Sequence, residues 1–138
     1  MSNAFLTTPT PARIIRALKR IPALQRDQMI ASTYLGTRVY WKTRFFDALD
    51  INRDPIRQFS FLQRGWHRFS RFDLSIYGHI DIDQHPETRS IRRGRRVDLY
   101  GTITNVDIVL GITLALERFD ILPLTLFDRL VQREESRI

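Results

Sequence analysis

At 138 residues with 43% apolar content, the chain holds enough material for one core and too little for two. It contains no cysteine, which excludes disulfides, thiol catalysis and cysteine-based zinc sites. The formal net charge is +7 and the only lysines are Lys19 and Lys42, so arginine carries the excess. That residue grips phosphates bidentately and stacks on bases. Arginine-favouring codon usage gives the same excess without a functional cause.

In chain order, residues 1 to about 10 are polar and are expected to trail. Thr10-Pro11 reads as a helix start, a capping hydroxyl followed by proline at the first helical position. Ile14, Ile15, Leu18 and Ile21 recur at helical spacing with Arg13, Arg16, Lys19 and Arg20 between them. Pro22 ends that helix, and a second amphipathic segment is predicted from 23 to about 33, with Leu24, Met29 and Ile30 facing inward.

The stretch 34–47 then alternates: Val39, Trp41, Thr43 and Phe45 on one side, Tyr40, Lys42, Arg44 and Phe46 on the other. It is predicted as a long first strand. Residues 50–55 read as a turn or loop. Residues 56–69, broken by Gly65, are expected to form an elaborated loop with at most a short strand over 58–62. Alternation resumes over 69–83, with Phe72, Leu74, Ile76, Gly78 and Ile80 on one face. A short strand is expected at 88–91, and a turn at 92–96 with Gly94 at its tip. Two more strands follow, carrying Val97, Leu99, Gly101 and Ile103, then Ile112, Leu114 and Leu116. The span 105–111 either loops or extends the first of them. Pro123 is expected to start a C-terminal helix with Leu124, Phe127, Leu130 and Val131 on one stripe.

Five strand-like segments between helical ends resemble the OB-fold, the five-stranded Greek-key barrel. The phrases that carry the resemblance are YLGTRVYWKTRF (34–45), RRGRRVDLYGTITNV (92–106) and GITLALERFDI (111–121). The expected class is mainly β with helical ends (α+β): N-terminal tail and helices over 1–33, barrel over 34–122, C-terminal helix over 123–138, in one compact domain. Gly101 stands where such barrels need a residue without a side chain. Thr43 stands where nucleic-acid-binding members often have a strand-bending glycine.

What the resemblance implies is binding of single-stranded nucleic acid or a related polyanion, through outward residues of the early strands and neighbouring loops. Tyr40, Lys42, Arg44, Arg71, Tyr77 and His79 are the first candidates, with aromatics to stack on bases and cations to follow phosphates. Arg64, Trp66, His67 and Arg68 extend them, and Arg92, Arg93, Arg95 and Arg96 concentrate positive potential at one turn. Each group also suits an ordinary solvated surface.

His79, Asp81, Asp83 and His85 alternate in one strand-like run, yet span about 20 Å of extended chain, too far to meet at one ion. No metal or other cofactor is therefore expected. No nucleophile elbow, phosphate-cradling loop or helical histidine pair appears, which points away from catalysis. The alternative is a protein-interaction module, docking into an assembly or forming a homo-oligomer. No window reaches the ~20 uninterrupted apolar residues of a spanning helix, and no basic-then-apolar leader opens the chain. A membrane partner is thus not expected and the cytoplasm is the expected location.

Overall fold

Apolar side chains at period two on five strands need a closed surface to hide one face, and here the sheet closes on itself. The structure, a computed structural model, describes residues 4–67 and 70–126, apart from the side chains of residues 64–73. Helices α1 (Pro11–Arg20) and α2 (Ala23–Met29) precede β1 (Arg38–Arg53), β2 (Ile56–His67), β3 (Ser70–Asp81), β4 (Arg96–Asp107) and β5 (Gly111–Ile121). A π-helical turn, Ile30–Tyr34, links α2 to the barrel, and a 3₁₀ turn, Pro86–Ser90, lies between β3 and β4.

The strand order is β1-β2-β3-β5-β4, closed by pairing of β4 with β1. Neighbours are antiparallel except β3 and β5, which run parallel at Ile76 and Tyr77. This is the OB-fold.

Closure depends on β1 serving two neighbours. Its residues 38–44 pair with β4 from Arg96 to Thr102, and its residues 44–53 pair with β2. The change of partner comes with a register shift between Phe45 and Asp47, which leaves Phe46 as an extra residue. Such a bulge bends a strand and increases its twist. Thr43 is no obstacle to the bend: it is buried, and its hydroxyl donates to Val97 O at 2.9 Å. Gly101 has the expected role, because a Cβ there would stand 2.6 Å from Ala115 O.

The core gathers Val39, Trp41, Phe45, Ile76, Val97, Leu99, Ile103 and Leu114, all buried, with Leu74 and Leu116 packed against them half-covered. Ile14, Ile15 and Leu18 of α1 belong to the same core. Thr10 Oγ1 accepts from the Arg13 N–H at 3.3 Å, so the predicted cap forms and fixes where α1 begins.

Several expectations are corrected. Residues 4–10 do not trail: Leu6 N donates to Arg38 O and Tyr40 N to Leu6 O, both at 2.9 Å, and Pro9 O accepts from Trp41 Nε1 at 3.1 Å. The unpaired edge of β1 requires such partners. Leu24 faces solvent at 99% exposure, while Met29 and Ile30 pack against the core as expected. Residues 50–53 are strand, and only Asp54 and Pro55 turn the chain.

The supposed loop 56–69 is largely β2, whose Phe59 and Phe61 are buried against Phe45. The period-two placement of these two rings carried the signal, masked by the surrounding arginines and Gly65. The segment predicted as a second strand is consequently β3. Residues 88–91 form no strand, because Pro86 opens the 3₁₀ turn instead. β4 extends to Asp107, whose carboxylate accepts from the N–H groups of Val109 and Leu110 to close the turn into β5. Residues 122–125 are not helical. The remainder of the predicted C-terminal helix, with Phe127, Leu130 and Val131, lies outside the described residues.

Candidate nucleic-acid interface

The outward face of β1 meets the turn before β4, and the two halves of that face end up different. In the first half, Tyr40 sits opposite Tyr100 and their rings stack at 4.6 Å between centroids. Phe5 packs edge-on against Tyr100, and the Arg118 guanidinium lies 3.9 Å over the same ring. The Tyr40 hydroxyl donates to Asp98 Oδ2 at 2.8 Å. That hydrogen bond, with partial burial, pushes the phenol up to about 12. Arg38 is bidentate on Glu117, holding the carboxyl below and the guanidinium above their usual ranges. Each polar or aromatic group here already has a partner from its own chain.

In the second half, a cleft of about 380 Å³ opens between β1, β2 and the 92–96 turn. It is lined by Lys42, Thr43, Arg44, Phe45, Phe46, Leu62, Gln63, Arg93, Gly94 and Arg96. Four of these are cations and none is an acid. The turn is held in place by backbone: Phe45 N donates to Arg95 O and Gly94 N to Phe45 O, both at 2.8 Å. Gly94 has a φ of 92°, which glycine adopts without steric cost. Arg44 Nη1 donates to Gly94 O at 2.8 Å, bracing the turn against β1.

Arg93 donates from Nε to Phe46 O at 3.1 Å, and its Cζ lies 4.4 Å from the centre of the Phe46 ring. Phe46 itself is 37% exposed, an aromatic surface open to solvent beside a guanidinium. Gln63 spans the far wall, donating to Lys42 O at 3.1 Å. Apolar floor, planar ring and four cations together fit a planar, anionic ligand.

The cleft therefore unites Lys42, Arg44, Arg93 and Arg96 among the residues singled out in the sequence. It does not include Tyr40, which is engaged with Asp98 and Tyr100. Nor does it include Tyr77: β2 intervenes between β1 and β3, and the Tyr77 hydroxyl donates to Leu110 O at 3.0 Å, at the β4–β5 turn. Arg92 is exposed outside the cleft, and Arg95 turns away to donate to Leu122 O at 2.7 Å. Arg64, Trp66, His67 and Arg71 lie on the β2–β3 hairpin beyond the last β1 pairing at Leu62, with side chains outside the described residues. Arg68 lies outside them entirely.

Phe46, Leu62 and Gln63 were not anticipated as site residues. The outward place of Phe46 was legible, but the bulge that leaves it extra was not.

The metal-like run does not stay extended: the His85 N–H donates back to Asp81 O at 3.1 Å, and His79, Asp81 and His85 border one depression of about 280 Å³. Asp81 Oδ1 accepts from the N–H groups of Asp83 and Gln84, Asp83 pairs with Arg89, and the His85 ring packs edge-on against Phe119. A larger depression of about 480 Å³ near Ile91 and Phe119 sets Glu87 and Asp120 against Arg95, a mixed lining poorly suited to a polyanion. Among the described residues, no helix is long and apolar enough to cross a membrane.

No protein-family model matches the chain. No curated protein matches it either. Among solved structures it is similar to a small single-stranded DNA-binding protein from Streptomyces coelicolor, at 8% identity and a TM-score of 0.44, covering 65% of this chain and 96% of that one. Rim1, a mitochondrial single-stranded DNA binding protein of S. cerevisiae, gives 11% identity and 0.46, covering 65% and 98%. PriB from Ralstonia solanacearum gives 10% and 0.42, covering 62% and 97%. The fold assignment rests on the strand order and closure of the barrel itself.

Proposed function

We propose that the protein binds single-stranded nucleic acid, without chemical turnover, through the cleft between β1, β2 and the 92–96 turn. The observation that carries this reading is the joining of Lys42, Arg44, Arg93 and Arg96 to the half-exposed Phe46 ring, with no acidic residue in the lining. Phosphates meet the cations and an unstacked base meets the ring. A duplex keeps its bases paired and stacked, so a single strand offers the ring a free base face more readily. The cleft's one hydroxyl, on Thr43, donates to Val97 O.

Fluorescence anisotropy of a labelled oligonucleotide, titrated from roughly 50 to 200 mM salt, tests the proposal. Affinity should fall with a log–log slope of about 0.7 per neutralised phosphate. Replacing Lys42 and Arg93 by alanine should flatten the slope by one to two contacts, roughly the number of cations removed. Binding no tighter than about 100 μM at the lowest salt would refute it, because that is the level of non-specific attraction.

A second reading, contact with a protein partner or another copy of the chain, is favoured by Val109 and Leu110, which stand exposed at the tip of the β4–β5 turn. Sedimentation velocity of the wild type and of a Leu110→Ser variant separates the two readings. A concentration-dependent dimer lost in the variant would support the second.

A further inference from the structure

Helix α1 divides its surface in two. Ile14, Ile15 and Leu18 enter the core, while Arg13, Arg16 and Arg20, three and four residues apart, rise on another side. These arginines, with Pro9, Ala17 and Tyr34, line a pocket of about 330 Å³ that shares no residue with the cleft. No carboxylate lines it. Among the described residues, no ion pair reaches Arg13, Arg16 or Arg20.

Two features set this pocket apart from an ordinary basic surface. The Arg16 Nε is shut off from solvent and meets no acceptor among the described residues. A buried cationic donor without an acceptor is destabilising, so a shift of the Arg16 side chain that brings Nε to an anion in the pocket supplies the acceptor that the empty pocket lacks. Arg13 moreover lies in the first turn of α1, which holds no acidic residue. A cation there opposes the helix dipole, and its neighbours at i+3 and i+7 repel it. Helix stability therefore does not account for the placement, whereas an anion seated among the three guanidinium groups does.

We infer that the pocket bounded by Arg13, Arg16, Arg20 and Tyr34 is a second anion site that takes a phosphate group. The inference does not rest on the nucleic-acid reading of the cleft. The phosphate belongs either to a nucleic-acid backbone or to a free phosphorylated small molecule, and the forked donors of three arginines suit its tetrahedral oxygens in both cases.

The test follows the Nε–H resonance of Arg16 by NMR in the intact chain, titrated with inorganic phosphate, with sodium chloride at matched ionic strength, and with a short single-stranded oligonucleotide. A saturable shift with phosphate beyond that with chloride is expected, larger at Arg16 than at exposed Arg53. Arg20→Gln, at an exposed position, should weaken phosphate about two- to fivefold, the loss of one surface ion pair. A shift with both phosphate and oligonucleotide assigns the site to a strand's backbone, and a shift with phosphate alone assigns it to a small phosphorylated ligand. No phosphate shift beyond chloride, or one no larger than that of Arg53, overturns the inference. Loss of oligonucleotide binding at the cleft with an intact Arg16 response would refute the proposed function and leave this site standing.

Discussion

The two halves of the outward face of β1 begin from one sequence pattern and reach opposite ends. Tyr40 and Arg38 in the first half are saturated by Asp98, Tyr100 and Glu117, and the backbone edge beside them is covered by Leu6. Lys42, Arg44 and Phe46 in the second half border a cleft whose other wall is a basic turn. Alternation alone makes the halves equivalent. What separates them is where the neighbouring side chains turn: Asp98, opposite Lys42 in the register, gives its carboxylate to the Tyr40 hydroxyl, Tyr100 stacks on Tyr40, and Arg93 and Arg96 line the second half. Stacked aromatics and arginines on a strand are thus as apt to stabilise a barrel as to bind a ligand.

The largest expected effect removes what the halves share. Trp41 is fully buried beneath both, with its indole N–H on Pro9 O. Trp41→Ala should lower unfolding free energy by about 3–5 kcal/mol in a denaturant titration. A loss near that of a surface change would mean that the inner face is not the common support.

Next is Phe46→Ala, which should weaken oligonucleotide binding by about 1–3 kcal/mol with the salt slope unchanged, since stacking releases no ions. The same measurement on Tyr40→Phe should show almost no change. Equal losses in both variants would erase the distinction between the halves.

Tyr40→Phe should instead act on stability, by about 1 kcal/mol at neutral pH. Because the folded pKa is raised from 10.0 to about 12, the Asp98 hydrogen bond is fully present below pH 10 and is lost as pH rises towards 12. The wild type should therefore lose stability over that window more steeply than the phenylalanine variant, as followed by circular dichroism. The smallest effect belongs to Glu117→Gln. Its carboxyl is held low by Arg38, so the contribution is present above the ordinary glutamate range and fades as pH falls. As an exposed, solvent-screened pair it should shift thermal melts near neutral pH less than any of the variants above.

Much of the barrel was legible because burial imposes period two. Val39, Trp41, Val97, Leu99 and Leu114 could be placed from spacing alone, and Thr10-Pro11 marked a helix start that formed as written. β2 was not legible, because Arg57, Gln63 and Gly65 occupy the same alternate positions as the inward Phe59 and Phe61, which stand almost alone as evidence of alternation. The cleft was half legible. Its cations could be named, but which of Tyr40, Phe46 and Tyr77 joins them depends on the bulge at Phe46 and on β2 separating β1 from β3. Both are tertiary facts.

Photo-crosslinking of an oligonucleotide carrying a halogenated uracil, followed by tryptic peptide mapping, asks directly which half of β1 meets the ligand. Cleavage after Lys42 and Arg44 separates the peptide bearing Tyr40 from the one bearing Phe46. Crosslinks concentrated in the peptide that begins at Phe45 and contains Phe46, and diminished by Arg93→Ala, are the expected result. Crosslinks on the peptide bearing Tyr40 or on Tyr100, with none at Phe46, would contradict it.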